Sequence, residues 1–322
     1  MRRNDYDVTD SVRTTDPAAV SGEVVRVFKG LFGGAAAPEL KRAFREAASL
    51  YRGDHPDYCA CDTEYHDIQH VLDVTLAMAR LMNGYQRGLH NGDERLTKEL
   101  FIVGALAALF HDFGYLRRRH DRVHRYGAEY TLIHVSRGAR FLRSCVRELG
   151  LSEDMARLAG TLVHFTGYER PAETIRIGGT LPRRLGQMLG TADIIAQMSD
   201  RCYLEKCRDR LFPEFVLGRM AGEARGASRT LPAFVSGEEL VHKTPVFYQG
   251  AAKRLDLQLA RSYDYATRHF HGTNLYLDAM EKNVRYAEHV AHALDVATAL
   301  RRHPPYTLAP EAVPYPKDLV GF

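Results

Sequence analysis

The stretch TKELFIVGALAALFHD, residues 97–112, decides the fold. It is apolar nearly all the way round a helix, which is typical of a helix buried on every side. It ends in His111 and Asp112, and burying an unpaired carboxylate among apolar side chains would be costly. A divalent metal ion would remove that cost. The sequence therefore predicts a metal site at the end of a central buried helix.

Further histidines and one aspartate occur in apolar segments on either side of this pair. Before it, in YHDIQHVLDV, His66 and His70 are four residues apart, a spacing that places both on one face of a helix. After it come His134 in HVSRGARFL, His164 in LVHFTGY and Asp193 in GTADIIAQMSD. Adjacent helical residues point about 100° apart, so the pair suits a site in which Asp112 also reaches a second metal ion.

This order of His, His-Asp, His, His and Asp on successive helices resembles that of the HD-domain metal-dependent phosphohydrolases. YHDIQHVLDV is also similar to the first signature of the class I cyclic nucleotide phosphodiesterase catalytic domain, which reads Tyr-His-Asn, two residues, His-Ala, one residue, Asp-Val. The likeness covers about residues 60–205. It implies an all-α fold, an HD-domain helical bundle with additional N- and C-terminal helices and an extended Pro-rich tail.

The resemblance also implies roles for these side chains. One divalent ion (Zn, Mn, Fe or Mg) would be held by His70, His111, Asp112 and Asp193. Asp112 would bridge to a second ion, and His134 and His164 match positions that ligate it. Metal-activated water would attack the phosphorus of a small phosphoester, a nucleotide or cyclic nucleotide. His66 would protonate the leaving oxygen, or it would be a helix-start residue that bonds the backbone.

Two positions depart from the phosphodiesterase signature. Asp67 stands where those enzymes have asparagine, and Tyr115 stands where they have a further histidine after the His-Asp pair. Besides the phosphohydrolase, two functions stay open. One is an HD-fold sensor or scaffold that binds metal and nucleotide without turnover, and the other is an HD oxygenase in which the same ligands hold two irons.

Other polar residues near the motif have two interpretations each. Glu129 orients a ligand histidine or lies exposed in the first turn of a helix. Arg117, Arg118, Arg119 and Arg122 bring positive charge to a substrate phosphate or form a solvated loop. Cys59 and Cys61 with His55 suggest a small zinc site, but their spacing lacks the four firm ligands of structural zinc. Asp200 and Arg201 line the cleft or form a surface salt link.

Composition places this chain among ordinary globular proteins. Of its 322 residues 45% are hydrophobic and 26% charged, and the net charge of +4 is too small to argue for nucleic acid. We predict no membrane span, no signal peptide, and a cytoplasmic location with reduced thiols. The predicted organisation is a flexible arm at 1–20, a single helical HD-type domain at 21–303 and a tail at 304–322 that could reach a neighbour in a homo-oligomer.

Overall fold

The computed structural model describes residues 2–168, 170–223, 236–293 and 296–316, and its secondary structure is helical. The first seven α-helices are α1 (Pro17–Leu31), α2 (Pro38–Arg52), α3 (Ile68–Arg87), α4 (Lys98–Leu109), α5 (His134–Glu148), α6 (Glu153–Leu162) and α7 (Thr180–Ser199). The next seven are α8 (Tyr203–Lys206), α9 (Phe212–Glu223), α10 (Gly237–His242), α11 (Thr244–Leu257), α12 (Asp264–His269), α13 (Leu275–Ala291) and α14 (Val296–Ala299). Strand-type pairing among the described residues is limited to two isolated bridges. The predicted all-α fold is confirmed.

Helix α3 is the centre of the bundle. It packs against α1, α4, α7 and α12, and fifteen of its twenty residues are buried. Helix α4 lies beside it with every residue from Phe101 to Leu109 buried, as the apolar sequence predicts. No helix in the described parts of the chain is long and apolar enough to cross a membrane.

The helix predicted over 97–112 ends earlier than expected. Its last helical hydrogen bond runs from the Phe110 amide to the Leu106 carbonyl, and the 3₁₀ turn Phe113–Tyr115 follows. His111 and Asp112 therefore lie in the turn that leaves α4. The turn is fixed by the approach of α5, because a Cβ on Gly114 would lie 1.9 Å from the His134 carbonyl oxygen. Only glycine permits that approach.

Sequence periodicity also predicts a helix over EYTLIHVSRGARFLRSCVRELG, residues 129–150, and one over RLDLQLARSYDYATRHFHG, residues 254–272. The first begins only at His134, because residues 127–130 form a 3₁₀ turn. The second is divided between α11 and α12. Ala260 and Arg261 both adopt left-handed backbone angles between them, with φ of 50° and 53°, and two such residues in succession end a right-handed helix.

The two ends of the chain contact the bundle. In the segment predicted to be a flexible arm, Asp7 forms a buried ion pair of 2.5 Å with Arg80 of α3. The described tail residues 304–316 contain no helix, in agreement with their prolines, and Tyr315 is buried against Tyr126. Residues 317–322 of the predicted tail lie outside the described residues.

Candidate metal centre and active site

The turn after α4 fixes the orientation of His111. Its side chain is 1% exposed, and its Nδ1 lies 2.8 Å from the Ala108 carbonyl oxygen. A carbonyl oxygen only accepts hydrogen bonds, so Nδ1 carries the proton and donates it. The unprotonated Nε2 is then the atom available to a metal ion, and the hydrogen bond to Ala108 sets the tautomer.

Four side chains converge on one point beside His111. The Nε2 atoms of His70 and His111 lie 3.3 Å apart. Asp193 Oδ1, from α7, lies 3.4 Å and 3.8 Å from these two nitrogens. Among the described residues, these three form the group in which all ligand atoms lie within 4.8 Å of one another. Asp112 Oδ2 lies 3.2 Å from His70 Nε2 and 3.1 Å from His111 Nε2.

The donor set fits a divalent cation. Asp112 Oδ2 is buried and accepts no hydrogen bond from any described residue, although two imidazole nitrogens face it. A buried carboxylate oxygen without a partner carries a large desolvation cost, and a cation would offset it. Two imidazole nitrogens and two carboxylate oxygens suit zinc, manganese, iron or magnesium.

The ionisation of the cluster supports the same conclusion. Burial alone would lower the pKa of His70, but the carboxylates of Asp112 and Asp193 raise this pKa to about 10. Burial alone would raise the pKa of Asp112, but the neighbouring imidazoles of His111 and His66 hold it well below its usual range. The two carboxylates therefore favour positive charge beside them.

His66 lies outside α3, which corrects the expectation that His66 and His70 share one helix face. Helix α3 begins at Ile68, because the Asp67 side chain caps it by accepting a hydrogen bond from the His70 amide. The two rings are nevertheless close, with centroids 5.7 Å apart and planes at 89°. His66 therefore faces the cluster from the loop that precedes the helix.

Glu214 of α9 holds His66 in this position. Its Oε2 lies 2.5 Å from His66 Nδ1, and its Oε1 accepts a 2.7 Å hydrogen bond from the Tyr65 amide. The carboxylate accepts the Nδ1 proton, so Nε2 is the nitrogen that remains for another partner. No motif in the sequence predicts Glu214. The signal for it is a single glutamate in the otherwise apolar FPEFVLG, and its side chain is 1% exposed.

His134 reaches the other oxygen of Asp112. Its Nε2 lies 3.7 Å from Asp112 Oδ1, and its Nδ1 donates a 2.6 Å hydrogen bond to the Thr131 carbonyl. Tyr115 packs against both His134 and His66, with ring centroids 4.4 Å from each. His164 lies in the 3₁₀ turn Val163–Phe165 at the end of α6, half-buried.

The side chains in and around the cluster differ in exposure. His134, His66 and Asp193 are 20%, 16% and 13% exposed, whereas His111 and Asp112 are buried. Behind His70 lies a cavity of about 10 Å³, lined by polar groups that include Gln197 and Lys206. Such a volume holds one water molecule. The more exposed side of the cluster is therefore the side of His66 and His134.

The remaining candidates have other partners. Glu129 accepts hydrogen bonds from the Arg125 and Tyr126 amides, so it caps a turn. Arg117 pairs with Asp62, and Arg119 bonds the Gly53 carbonyl.

The cysteines and the polar pair after Asp193 also have other partners. Cys61 lies 3.2 Å from the Thr63 hydroxyl, and His55 faces Glu46, so they form no zinc cluster among the described residues. Asp200 pairs with the buried Lys206, and Arg201 bonds Asn4.

Comparison with known proteins identifies the fold. No protein-family model matches the sequence, and no curated protein matches it. The structure is similar to the phosphodiesterase domain of the RhoPDE fusion protein from the choanoflagellate Salpingoeca rosetta. The TM-score is 0.50, and the likeness covers 90% of this chain and 95% of that chain at 14% sequence identity. The chain therefore has the all-helical fold of a phosphodiesterase domain.

Proposed function

We propose that this chain is a metal-dependent phosphohydrolase that hydrolyses a small phosphoester, with nucleotides and cyclic nucleotides as the first candidates. One observation carries the proposal. The buried, unpartnered Oδ2 of Asp112 lies at the point where the Nε2 atoms of His70 and His111 meet, with Asp193 beside them. The phosphodiesterase-type fold supports the same class of reaction.

The roles of the residues follow from their positions. His70, His111, Asp112 and Asp193 would hold the first ion, and His134 with Asp112 Oδ1 would contribute to a second. When bound, a divalent ion supplies Lewis acidity, which lowers the pKa of water and stabilises charge on phosphoryl oxygens. The experiment described below tests which of Zn, Mn, Fe and Mg supports the reaction.

His66 would act as the general acid. Its Nδ1 is occupied by Glu214, so Nε2 is the atom that carries a proton to the leaving oxygen. The carboxylate of Glu214 keeps the ring in one orientation. When His66 gives up its proton, Nδ1 keeps its bond to Glu214, so the neutral ring stays in place for the next cycle.

A second candidate is metal and nucleotide binding without turnover, and the position of Tyr115 favours it. The Tyr115 ring lies 4.4 Å from both His66 and His134. It stacks on the faces of both imidazoles, at interplanar angles of 18°. Tyr115 also stands where the phosphodiesterase signature has a histidine, so this site lacks one imidazole that those enzymes carry.

A phosphoester panel separates the two candidates. The protein is stripped with a chelator, reloaded separately with Mn²⁺, Zn²⁺, Mg²⁺ or Fe²⁺, and assayed on aryl phosphodiesters, aryl monoesters, and linear and cyclic nucleotides. If the protein is a phosphohydrolase, turnover should require metal and should be lost in Asp193→Asn. Stoichiometric metal binding with no product from any substrate would support the binding protein instead.

A further inference from the structure

Asp67 lies between His66 and α3, and both of its carboxylate oxygens are engaged. Oδ1 accepts a 2.9 Å hydrogen bond from the His70 amide and so caps α3. Oδ2 accepts a hydrogen bond from the Thr307 hydroxyl of the C-terminal tail and lies 3.6 Å from Arg210 Nη1. The side chain is 1% exposed. Asp67 therefore connects the start of α3 to two distant parts of the chain.

Arg210 contacts both the His66 loop and the tail. Nη1 lies 3.4 Å from the Glu64 carbonyl, and Nη2 donates a 2.8 Å hydrogen bond to the Pro305 carbonyl. The backbone carbonyl of Arg210 accepts a hydrogen bond of 3.2 Å from the Tyr315 hydroxyl. The guanidinium is 9% exposed, so these contacts replace nearly all of its water.

Four consecutive loop residues are thus held by two side chains of one segment. Glu214 binds the Tyr65 amide and His66 Nδ1, and Arg210 binds the Glu64 carbonyl and faces Asp67. Arg210 belongs to a π-helical turn, Cys207–Leu211, that leads directly into α9. Such turns recur at functional sites because they re-aim side chains.

We infer that Arg210 is a positioning residue for His66, and that the tail segment 304–316 completes a clamp on Asp67 through Thr307. The role given to His66 rests on the proposed function, whereas the clamp itself does not. The clamp fixes the loop from outside the metal cluster. It therefore controls where the His66 ring lies without contributing a metal ligand.

The inference explains why residue 67 departs from the phosphodiesterase signature. Asparagine caps helices as well as aspartate does. An asparagine, however, carries no charge. One of its two terminal atoms is an amide nitrogen, which cannot accept a hydrogen bond from Arg210 or Thr307. A carboxylate accepts on both oxygens and attracts the guanidinium. The aspartate is therefore matched to Arg210 and to the tail.

Amide hydrogen exchange in the metal-free full-length protein tests the clamp directly. We compare wild type with Asp67→Asn, Arg210→Ala and Thr307→Val. The Tyr65 amide should exchange faster in the first two variants, by roughly tenfold or more, because a buried charged hydrogen-bond network is lost. The His70 amide, whose helix cap asparagine preserves, reports whether the start of α3 is intact. Thr307→Val should give a smaller change in the same direction.

Arg208→Ala is the matched control. Arg208 lies in the same π-helical turn and pairs with its neighbour Asp209, at 2.6 Å. This variant should leave both amides unchanged. If Arg210→Ala does not fold, Asp67→Asn decides, since its helix cap is preserved. Wild-type exchange at Tyr65 in Asp67→Asn, or equal acceleration in Arg208→Ala, would overturn the inference.

Turnover provides the second readout. Asp67→Asn and Arg210→Ala should lower rates on substrates with basic leaving groups far more than on an activated aryl ester, at unchanged metal content. A merely structural role would lower both rates together. If wild type turned over no substrate while the exchange results held, the proposed function would fail and the clamp would stand.

Discussion

The Nδ1 atom of His66 lies 2.5 Å from Oε2 of Glu214, although 148 positions separate the two residues in the chain. The contact leaves one imidazole nitrogen, Nε2, for the cleft. It also places a buried carboxylate behind a histidine that faces the four side chains proposed to bind metal. This is the arrangement that a general acid needs: one nitrogen oriented and the other free.

His66→Ala should keep the metal and the fold and lose turnover by about 10²–10⁴ on substrates with basic leaving groups, because such alkoxides leave poorly without a proton. An activated aryl ester should lose much less, since its leaving group needs no proton. The two rates are measured in one preparation together with metal content. Equal losses on both substrates, or a drop in bound metal, would show that His66 is a ligand or a structural residue.

Glu214→Gln should reduce the same rates by a smaller factor, roughly 10- to 100-fold, as for outer-shell partners of other functional histidines. Glutamine keeps the shape and can still accept a bond from His66, but it is a neutral acceptor in place of a charged one. The decisive measurement compares the rate losses on a substrate with a basic leaving group and on an activated aryl ester, at unchanged metal content. We expect the larger loss on the basic leaving group, and equal losses on both substrates would argue against this role.

The metal-free protein should become less stable as pH rises above about 6.5. Asp112 and Asp193 raise the pKa of His70 to about 10, against 6.5 for an ordinary histidine. Stabilisation by this proton is therefore complete below pH 6.5 and is lost as pH rises towards 10. Melting temperatures in chelator between pH 6 and 9.5 measure the trend. His70→Asn should flatten it, and an equally steep slope in that variant would contradict the assignment.

The position of His134 predicts a second ion. Burial lowers the pKa of His134, and its Nδ1 proton is donated to Thr131, so a neutral Nε2 faces Asp112 Oδ1 at 3.7 Å. Wild type should bind two ions per chain and His134→Ala one. His124→Ala, which removes a histidine paired with Asp121 outside the cluster, is the control. If the fully loaded wild type holds only one ion per chain, the second site is refuted. The predicted role of His164 as a ligand of that ion is then refuted as well.

Sequence periodicity predicted the helices better than it predicted the turns between them. The apolar pattern of α4 identified a buried helix, and the chain order of His70, His111, Asp112 and Asp193 predicted a cluster that the structure brings together. The helix end at Leu109 was not predictable, because it depends on the approach of α5 to Gly114.

Partners that come from tertiary packing were also missed. Glu214 and Arg210 lie in a segment without any motif, and only the packing of α9 and the π-helical turn against the His66 loop reveals their contacts. Asp67 was visible as a departure from the signature. Only the contacts of Asp67 with Arg210 and Thr307 suggest a reason for this departure.

The most direct test of the central claim is to follow turnover and metal occupancy in one sample. Chelator-stripped protein is titrated with Mn²⁺, and bound metal and hydrolysis of an aryl phosphodiester are measured at each point, with His111→Ala in parallel. We predict that the rate rises with bound metal and saturates at integral stoichiometry, while His111→Ala binds far more weakly and stays inactive. Full occupancy without hydrolysis, or hydrolysis that persists in excess chelator, would contradict the account.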